Sequence, residues 1–257
     1  TIDLLRTHFR SRTPVSDAVH ETMMRLFRAY IVVGGMPEVV QRYVDTHDIA
    51  QTSQLQRDLL DLYRLDIAKY AQRSGRTKIR AIFDAIPSQL DDHNRRFVLA
   101  DLSKNARQNR YASSFLWLAD AGVALPCYNV SSPTAPLAAN EKHSLFKLFM
   151  NDVGLLCAAS MGNIQFALLQ GELDVNLGSI AENVVAQELT AHGYAAHYFD
   201  AKKYGEIDFV VQSGTRVTPV EVKSGNDLTR HKALDNVLAV DEWDIDQALV
   251  LYKGNIS

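Results

Sequence analysis

The sequence predicts an α+β fold in which an N-terminal helical region precedes a small mixed sheet. Apolar residues recur at helical spacing in the first 75 residues, as in Leu26–Tyr30 and Leu55–Tyr63. Nearer the C-terminus, apolar residues alternate with acidic ones over short runs such as Glu206–Val211, which is the period of a strand. The chain has 257 residues, 47% hydrophobic and 22% charged, which is typical of a globular protein with one to three domains.

Residues 1–75 form the first predicted domain, which is helical. Gly34 and Gly35 break its helical pattern, and Pro37 suits the first turn of the helix that follows. Because glycine and proline are common turn formers, the break predicts a tight turn between two helices. A contact with a nucleotide or with another domain is the functional alternative.

Residues 76–160 form the second predicted domain, which has the element order of a winged helix. The predicted elements are, in order, a helix ended by Pro87, a short segment over Phe97–Leu102, a third helix over Arg107–Ala121 and two wing strands, Val123–Val130 and Leu145–Met150. The third helix of such folds enters the major groove of DNA. We therefore expect Lys104, Arg107 and Arg110 to contact phosphates, with the basic pair Arg95–Arg96 close by. A solvated surface without a nucleic-acid role is the alternative.

Residues 161–257 form the third predicted domain. A predicted helix over Ser179–His192 is followed by a strand, Tyr194–Phe199. Two alternating runs come next, and the short Gly-containing turn between them predicts a β-hairpin. A further helix and a buried apolar strand, Ala248–Tyr252, complete the domain.

The predicted hairpin gathers side chains that are suited to metal and phosphate chemistry. Glu221 and Lys223 lie two positions apart on one strand and so share a face, and the turn places Asp208 beside them. Two carboxylates and an ammonium suit a hard divalent cation, Mg²⁺ or Mn²⁺, together with a phosphate. A plain salt bridge of the carboxylates with Lys223 or Lys202 is the alternative, and we expect Glu206 to lie at the rim.

Glu182 on the preceding helix has two interpretations. Its carboxylate stands where it could complete the coordination of a metal ion. It also follows Ser179 by three positions, in the pattern of a capping box, in which its side chain would reach back to the Ser179 amide. A carboxylate that caps the helix would not also hold a metal ion, and the sequence leaves both roles open.

These residues resemble the signature of the PD-(D/E)xK nuclease superfamily. The matching pattern is Asp208, twelve intervening residues and then Glu221-Val-Lys223, with Glu182 on a helix upstream. Ile207 stands where the signature has proline. The resemblance implies a restriction-endonuclease-like α/β domain in which all four matched residues are catalytic. It also implies that Asp208, Glu221 and Glu182 bind the metal ion.

A second resemblance covers nearly the whole chain. Four segments look like the C-terminal half of a prokaryotic AAA-type ATPase family with a DUF4143 domain, and they are Tyr30–Val40, Asp66–Tyr70, Lys147–Leu156 and Gly178–Asn183. The resemblance implies an ATPase core upstream, to which residues 1–75 would form a lid-like region. A start at Thr1 without methionine is expected of a fragment. Because the sequence has no P-loop, ATP is expected to bind only to the upstream domain.

Charge and cysteine content limit the classes of function. The net charge of −3 and the pI near 6.2 mean that any nucleic-acid contact must come from a local patch. Cys127 and Cys157 lack metal-ligand spacing, which favours two buried thiols in a reducing cytoplasm. No apolar run reaches transmembrane length, so we expect no membrane partner, while an oligomer is compatible with the sequence.

Two functions of different classes are consistent with these patterns. One is a Mg²⁺-dependent nuclease domain that the winged helix steers to DNA. The other is a catalytically inactive recognition or assembly module that serves the upstream ATPase. The complete set of Asp208, Glu221 and Lys223 favours the nuclease, whereas the acidic pI and the absence of a strongly basic run favour the inactive module.

Replacing Lys104, Arg107 and Arg110 together by alanine should weaken binding of short DNA duplexes if the third helix of residues 76–160 contacts phosphates. Each phosphate contact contributes about −0.9 to the slope of log K against log salt, so the variant should lose about 2–3 units of that slope. Fluorescence anisotropy between about 50 and 200 mM salt measures both quantities. Equal affinity and equal slope in the two proteins would exclude this helix as the DNA contact.

Overall fold

The computed structural model describes residues 2–92, 95–103, 107–160, 165–171, 177–225 and 231–255. It has the predicted α+β architecture, with a helical N-terminal region. The strands of the described residues form one mixed six-stranded sheet.

The helices follow the apolar periodicity of the sequence. In chain order, the described helices are α1 (Ile2–Ser11), α2 (Asp17–Val33), α3 (Pro37–Thr46), α4 (Ile49–Tyr70), α5 (Arg76–Asp91), α6 (Leu99–Leu102), α7 (Gln108–Asp120), α8 (Val153–Ser160), α9 (Gln165–Gln170), α10 (Gly178–Ala191) and α11 (Lys232–Leu238). Within the described parts of the chain, no helix combines the length and the apolar character that crossing a membrane requires.

The sheet is built from strands that lie far apart in the sequence. In chain order, these strands are β1 (Ala124–Val130), β2 (Glu141–Met150), β3 (His197–Ala201), β4 (Gly205–Ser213), β5 (Arg216–Lys223) and β6 (Leu249–Tyr252). Their order across the sheet is β2-β1-β3-β4-β5-β6. The pairs β1/β3 and β5/β6 are parallel and the other neighbours are antiparallel. From α10 onward the chain has the predicted order of helix, strand, hairpin, helix and strand.

The two strands that we expected as wings extend this sheet. β1 pairs with β2 on one side and with β3 on the other, with Tyr128 opposite His197. The sheet therefore continues across residue 160, where the sequence predicted a domain boundary. Pairing with β3 satisfies the backbone of β1 on both edges, which an isolated two-stranded wing leaves open on its outer sides.

Two hydrophobic clusters lie against the sheet. The larger core cluster joins helical residues such as Ile82 and Val184 to sheet residues such as Phe149 and Phe209. The smaller core cluster includes Val130, Leu137, Phe199, Ile207 and Val210 with Leu234 and Val237 of α11. α10 packs on β1, β2 and β5, and α11 packs on β4.

The two cysteines are buried thiols, as predicted. Desolvation raises the pKa of the Cys127 thiol to about 12 and that of Cys157 to about 11. Both side chains therefore stay protonated at neutral pH, as small apolar groups of the core.

Pro87 does not end its helix, contrary to the sequence prediction. α5 continues to Asp91 with Pro87 inside it. Residues beyond α5 stabilise its last turn. Buried Gln89 accepts a hydrogen bond from the Val98 amide at 2.6 Å and donates one to the Asp101 carboxylate at 2.7 Å. These tertiary contacts outweigh the lost backbone hydrogen bond at the proline.

The break at Gly34 and Gly35 is a tight turn between α2 and α3, as predicted, and Asp152 holds it. The Asp152 carboxylate accepts hydrogen bonds from the amides of Gly35 at 2.6 Å and of Leu155 at 2.9 Å. The second bond lies at the start of α8, so one side chain fixes two helix ends. A Cβ atom on Gly34 would lie 2.3 Å from Asp152 Oδ1, and one on Gly154 would lie 2.5 Å from the Val33 carbonyl oxygen. The glycines permit this close packing.

Gly34→Ala should destabilise the protein much more than Gly193→Ala, although both glycines have a positive φ, of +77° and +80°. A positive φ of this kind costs an alanine about 1–3 kcal/mol at either site. At Gly34 the new methyl group must also displace the Asp152 carboxylate, whose lost hydrogen bonds cost about 1–3 kcal/mol more. At Gly193 no described atom lies within 4 Å of the added carbon. Urea unfolding of the two variants measures the difference, and equal losses would show that Asp152 does not tie this turn.

Candidate functional site

β4 and β5 separate where the predicted site residues lie. The regular pairing of the hairpin ends at Phe209 opposite Val220. Beyond this pair β4 continues along β3, and β5 continues along β6. Asp208 and Glu221, the next residues on the two strands, therefore border the gap that opens between them.

A β-bulge turns Asp208 toward this gap. His197 and Phe199 are two positions apart in β3, but their partners in β4 are three positions apart, so β4 carries one extra residue here. The Asp208 side chain then spans the gap, since its Oδ2 accepts a hydrogen bond from the Val222 amide at 2.8 Å. A side chain replaces the missing backbone pairing at this end of the hairpin.

Glu221 and Lys223 reach the same region from β5. Val220 and Val222 pack in or against the larger core cluster, whereas Val250, the β6 partner of Glu221, packs against the smaller one. Alternation therefore directs Glu221 and Lys223 to the face of the smaller cluster. Glu221 and Lys223 therefore share a face, as the alternation predicts, and the bulge and the gap bring Asp208 close to Glu221.

Glu221 has an unusual electrostatic environment. Its side chain is 12% exposed, and Lys223 Nζ lies 2.7 Å from Oε1. Oε2 is buried and has no hydrogen-bond partner among the described residues. Desolvation and then the charge of Asp208 raise the pKa of Glu221, and the partial compensation by Lys223 does not reverse this. A buried carboxylate oxygen without a partner is an acceptor position suited to a cation or a donor.

Lys147 of β2 forms the centre of a second group of charges. Its side chain is fully buried, and Nζ lies 2.7 Å from Glu206 Oε1 and 3.3 Å from Glu182 Oε2. Asp208 Oδ1 lies 4.0 Å from the same ammonium. Lys147 also lies 5.1 Å from the ring centroid of Tyr198, where the ring attracts the cation. This lysine connects Asp208 to Glu182 and Glu206.

Glu182 does not take part in a capping box. α10 begins at Gly178, with Leu177 at the N-cap and no side-chain cap, so Ser179 lies inside the helix. Glu182 is 1% exposed and pairs with Lys147 through Oε2 and with Arg95 through Oε1. The structure thus brings Asp208, Glu221 and Lys223 together, and among the described residues it connects Glu182 to them through Lys147.

The basic pair Arg95–Arg96 faces this acidic region. Arg95 pairs with Glu182, and Arg96 pairs with Asp200 of β3. Arg107 and Arg110 are exposed at the start of α7, and Lys104 lies outside the described residues. The pair that the sequence placed beside a DNA-contacting helix is therefore engaged by carboxylates of the sheet.

The residues around Asp208 and Glu221 fit a divalent cation through two carboxylates. Across the described ranges, no group of three or more His, Cys, Asp or Glu side chains is arranged to hold a metal ion. Hard cations also accept backbone carbonyl oxygens and water as ligands, so a pair of protein carboxylates is sufficient for Mg²⁺. The unpartnered Oε2 of Glu221 is the observation that supports this fit.

Sequence reasoning missed Lys147 and underestimated Glu206. Lys147 stands in the apolar run Leu145–Met150, which we interpreted as a wing strand. A single lysine inside such a run is itself a signal, because a buried ammonium requires carboxylate partners. Glu206 is 30% exposed, but its pairing with Lys147 gives it a defined role in the cluster.

The fold and the site together define an α+β protein whose charged cluster combines residues from both halves of one sheet. The chain belongs to the family described as Domain of unknown function (DUF8612), whose model matches residues 24–165. Residues 177–257 match a second model, Domain of unknown function (DUF4143), which confirms that part of the resemblance seen in the sequence. No curated protein and no solved structure matches the chain significantly.

Glu221→Gln should stabilise the protein at neutral pH relative to the wild type. The folded protein holds the Glu221 proton more tightly than the unfolded chain, because the folded-state pKa is raised above the ordinary value of 4.5. The wild type therefore loses stability from this group as the pH rises from about 4.5 through the raised pKa. The glutamine, which stays neutral, avoids this loss, so the stability difference should grow over that range and then level off.

Urea unfolding at a series of pH values from about 4 to 8 checks this difference. Glu38→Gln on the exposed face of α3 is the matched control, and its stability should run parallel to that of the wild type. If the unfolding free energy of Glu221→Gln also runs parallel to that of the wild type over this pH range, burial and the charge of Asp208 do not destabilise the ionised Glu221.

Proposed function

We propose that Asp208, Glu221 and Lys223 form a divalent-cation-dependent site that cleaves phosphodiester bonds of nucleic acid. The buried Oε2 of Glu221, without a partner in the described structure and beside the Asp208 carboxylate, carries this proposal. Two such carboxylates repel each other, and burial increases the cost of their charges by several kcal/mol per ion. A bound cation would remove that repulsion.

Asp208 and Glu221 would hold Mg²⁺ or Mn²⁺ at the gap between β4 and β5. When bound, the ion lowers the pKa of a coordinated water and polarises the scissile phosphate. The Val222 amide keeps Asp208 in place by donating to Oδ2, which leaves Oδ1 for other partners. The backbone of the hairpin thus positions the carboxylate before substrate binds.

Lys223 would act on the substrate side of the site. Its side chain is 25% exposed, so the ammonium can reach a phosphate while it remains close to Glu221. A positive charge at this place offsets the negative charge that develops on the phosphate oxygens in the transition state. Arg107 and Arg110, exposed on α7, are the proposed contacts to the nucleic-acid backbone, as is Lys104, which lies outside the described residues.

A second candidate function is a catalytically inactive module for recognition or assembly. The observation that favours it is the internal neutralisation of the cluster, because Lys147 and Arg95 already compensate Glu182, and Lys147 pairs with Glu206. A charge cluster that is balanced from within can serve as a scaffold without a metal ion. Binding of Mn²⁺ and cleavage of nucleic acid distinguish the two functions.

An upstream AAA-type ATPase domain is the partner that we propose for the N-terminal region. α1 buries none of its residues, although Ile2 and Phe9 are large and apolar. Leu62 and Leu65 of α4 are likewise more than half exposed. Exposed apolar side chains at this density are typical of a surface that another domain or a second copy covers.

Mn²⁺ or Mg²⁺ should raise the thermal unfolding midpoint of the wild-type chain, and Asp208→Asn should abolish that increase. A ligand at about 100 times its Kd stabilises by about 2.7 kcal/mol, which corresponds to about 5–10 °C for a chain of this size. The asparagine keeps the shape of the side chain but loses the charge that holds the cation. Asp246→Asn, at an exposed position remote from the gap, is the matched control and should keep the full increase.

Cleavage of labelled single-stranded and duplex DNA and of RNA tests the activity itself. Asp208→Asn and Lys223→Met should each lower the cleavage rate by about 100-fold or more, the usual cost of losing one charge-stabilising group. A wild-type chain that neither gains stability from the cations nor cleaves any of these substrates would exclude the nuclease and leave the inactive module. An Asp208→Asn variant that still gains stability would place the cation elsewhere.

A further inference from the structure

Lys147 comes from β2, outside the segment 177–257 that carries the four predicted metal-site residues, and yet it enters the centre of the charged cluster. Its ammonium contacts Glu206 at 2.7 Å and Glu182 at 3.3 Å and lies 4.0 Å from Asp208 Oδ1. The side chain has no solvent exposure. A buried ammonium costs several kcal/mol unless carboxylates compensate it, and these contacts supply that compensation.

Carboxylates are also the usual partners of hard divalent cations, although with Lys147 in place no group of three or more described carboxylates is arranged to hold a metal ion. Here the positive charge belongs to a side chain. We propose that Lys147 acts as a built-in cation, which holds Glu182, Glu206 and Asp208 in position and keeps a second divalent ion out of their cluster. The part of this inference that concerns catalysis rests on the proposed function, because Lys147 then positions Asp208 for the ion at the gap.

The ion pairs of Glu182 are the reason that we expect a second ion to be excluded. Its Oε1 pairs with Arg95, and its Oε2 pairs with Lys147. Both oxygens of this buried carboxylate are therefore engaged by protein cations. Glu182 was a metal ligand by resemblance, and we infer instead that it anchors Lys147 and leaves ion binding to Asp208 and Glu221. Lys147 is a positioning residue in this arrangement, since it acts through Asp208.

When a neutral side chain of similar length replaces Lys147, a Mn²⁺ ion should take the place of the lost ammonium. In Lys147→Met the carboxylates of Glu182 and Glu206 lose their shared partner. Lys147→Met should then bind one more equivalent of Mn²⁺ than the wild type. If the stoichiometry does not change, its affinity for Mn²⁺ should be at least about tenfold higher. Lys147→Arg, which keeps the charge, is the matched control and should show no gain. Isothermal titration of the full chain with Mn²⁺ measures both the stoichiometry and the affinity.

Thermal unfolding with and without Mn²⁺ provides the second measurement. Lys147→Met should unfold at a lower temperature than the wild type, and Mn²⁺ should raise its midpoint by more than it raises that of the wild type. The additional Mn²⁺ equivalent should disappear in Lys147→Met/Glu182→Gln, because one of the two freed carboxylates is neutral. A purely structural role of Lys147 would lower the midpoint but would leave the Mn²⁺ stoichiometry and affinity unchanged.

Several outcomes would overturn the inference. A folded Lys147→Met that binds Mn²⁺ as the wild type does, or a wild type that already binds two ions, excludes a built-in cation. The same conclusion follows if Lys147→Met stays unfolded in Mn²⁺ while Lys147→Met/Glu182→Gln folds. If the wild type binds no Mn²⁺, the proposed function fails, but a gain of one equivalent in Lys147→Met still supports the role of Lys147.

Discussion

The buried ammonium of Lys147 is the interaction on which the arrangement of the sheet depends. It pairs with Glu206 of β4 and Glu182 of α10, and it extends from β2 at the far edge of the sheet. Breaking a buried ion pair by removing one partner costs about 3–5 kcal/mol, because the other charge stays buried without compensation. That cost favours the register in which β1 and β2 join the C-terminal strands. The regions that match the two families therefore share a charged centre as well as a hydrophobic core.

A second polar junction connects the N-terminal helices to this core. Tyr30 of α2 donates to Glu188 of α10 at 2.9 Å and accepts a hydrogen bond from Gln187 at 2.8 Å, and Gln187 in turn accepts one from the Val153 amide. Desolvation, followed by the hydrogen bond and charge of Glu188, raises the pKa of Tyr30 far above its usual range, so this hydroxyl remains a donor. Together with the Asp152 bonds to the glycine turn, these contacts fix α2 against α8 and α10. The turn motif and the segment around Asp152 are thus explained by packing.

The sequence predicted the features that depend on local pattern. Helical periodicity, the Gly-containing hairpin turn and the alternating strands specify elements and their order, and those agree with the structure. The parallel pairing of β1 with β3 is different, because its residues lie about seventy positions apart and no local pattern records the pairing. The role of Lys147 was hidden for the same reason, since its partners come from segments that only the assembled sheet brings together. The bulge beside Asp208 also escaped prediction, because strict alternation assumes one residue per position on each strand.

The electrostatics of the gap explain why one region of this cluster is suited to an external cation and the other is not. Lys147 lies 2.7 Å from Glu206 but 4.0 Å from Asp208, so its charge is committed mainly to Glu206 and Glu182. Its remaining attraction for Asp208 weakens the pull of Asp208 on any further cation. Among the described residues, Lys223, which contacts only Oε1, and His231 attract the Glu221 carboxylate. In the proposed site, cation affinity at the gap would therefore come chiefly from Glu221, and the balance between Lys147 and Lys223 would decide between a metal-dependent active site and a self-neutralised scaffold.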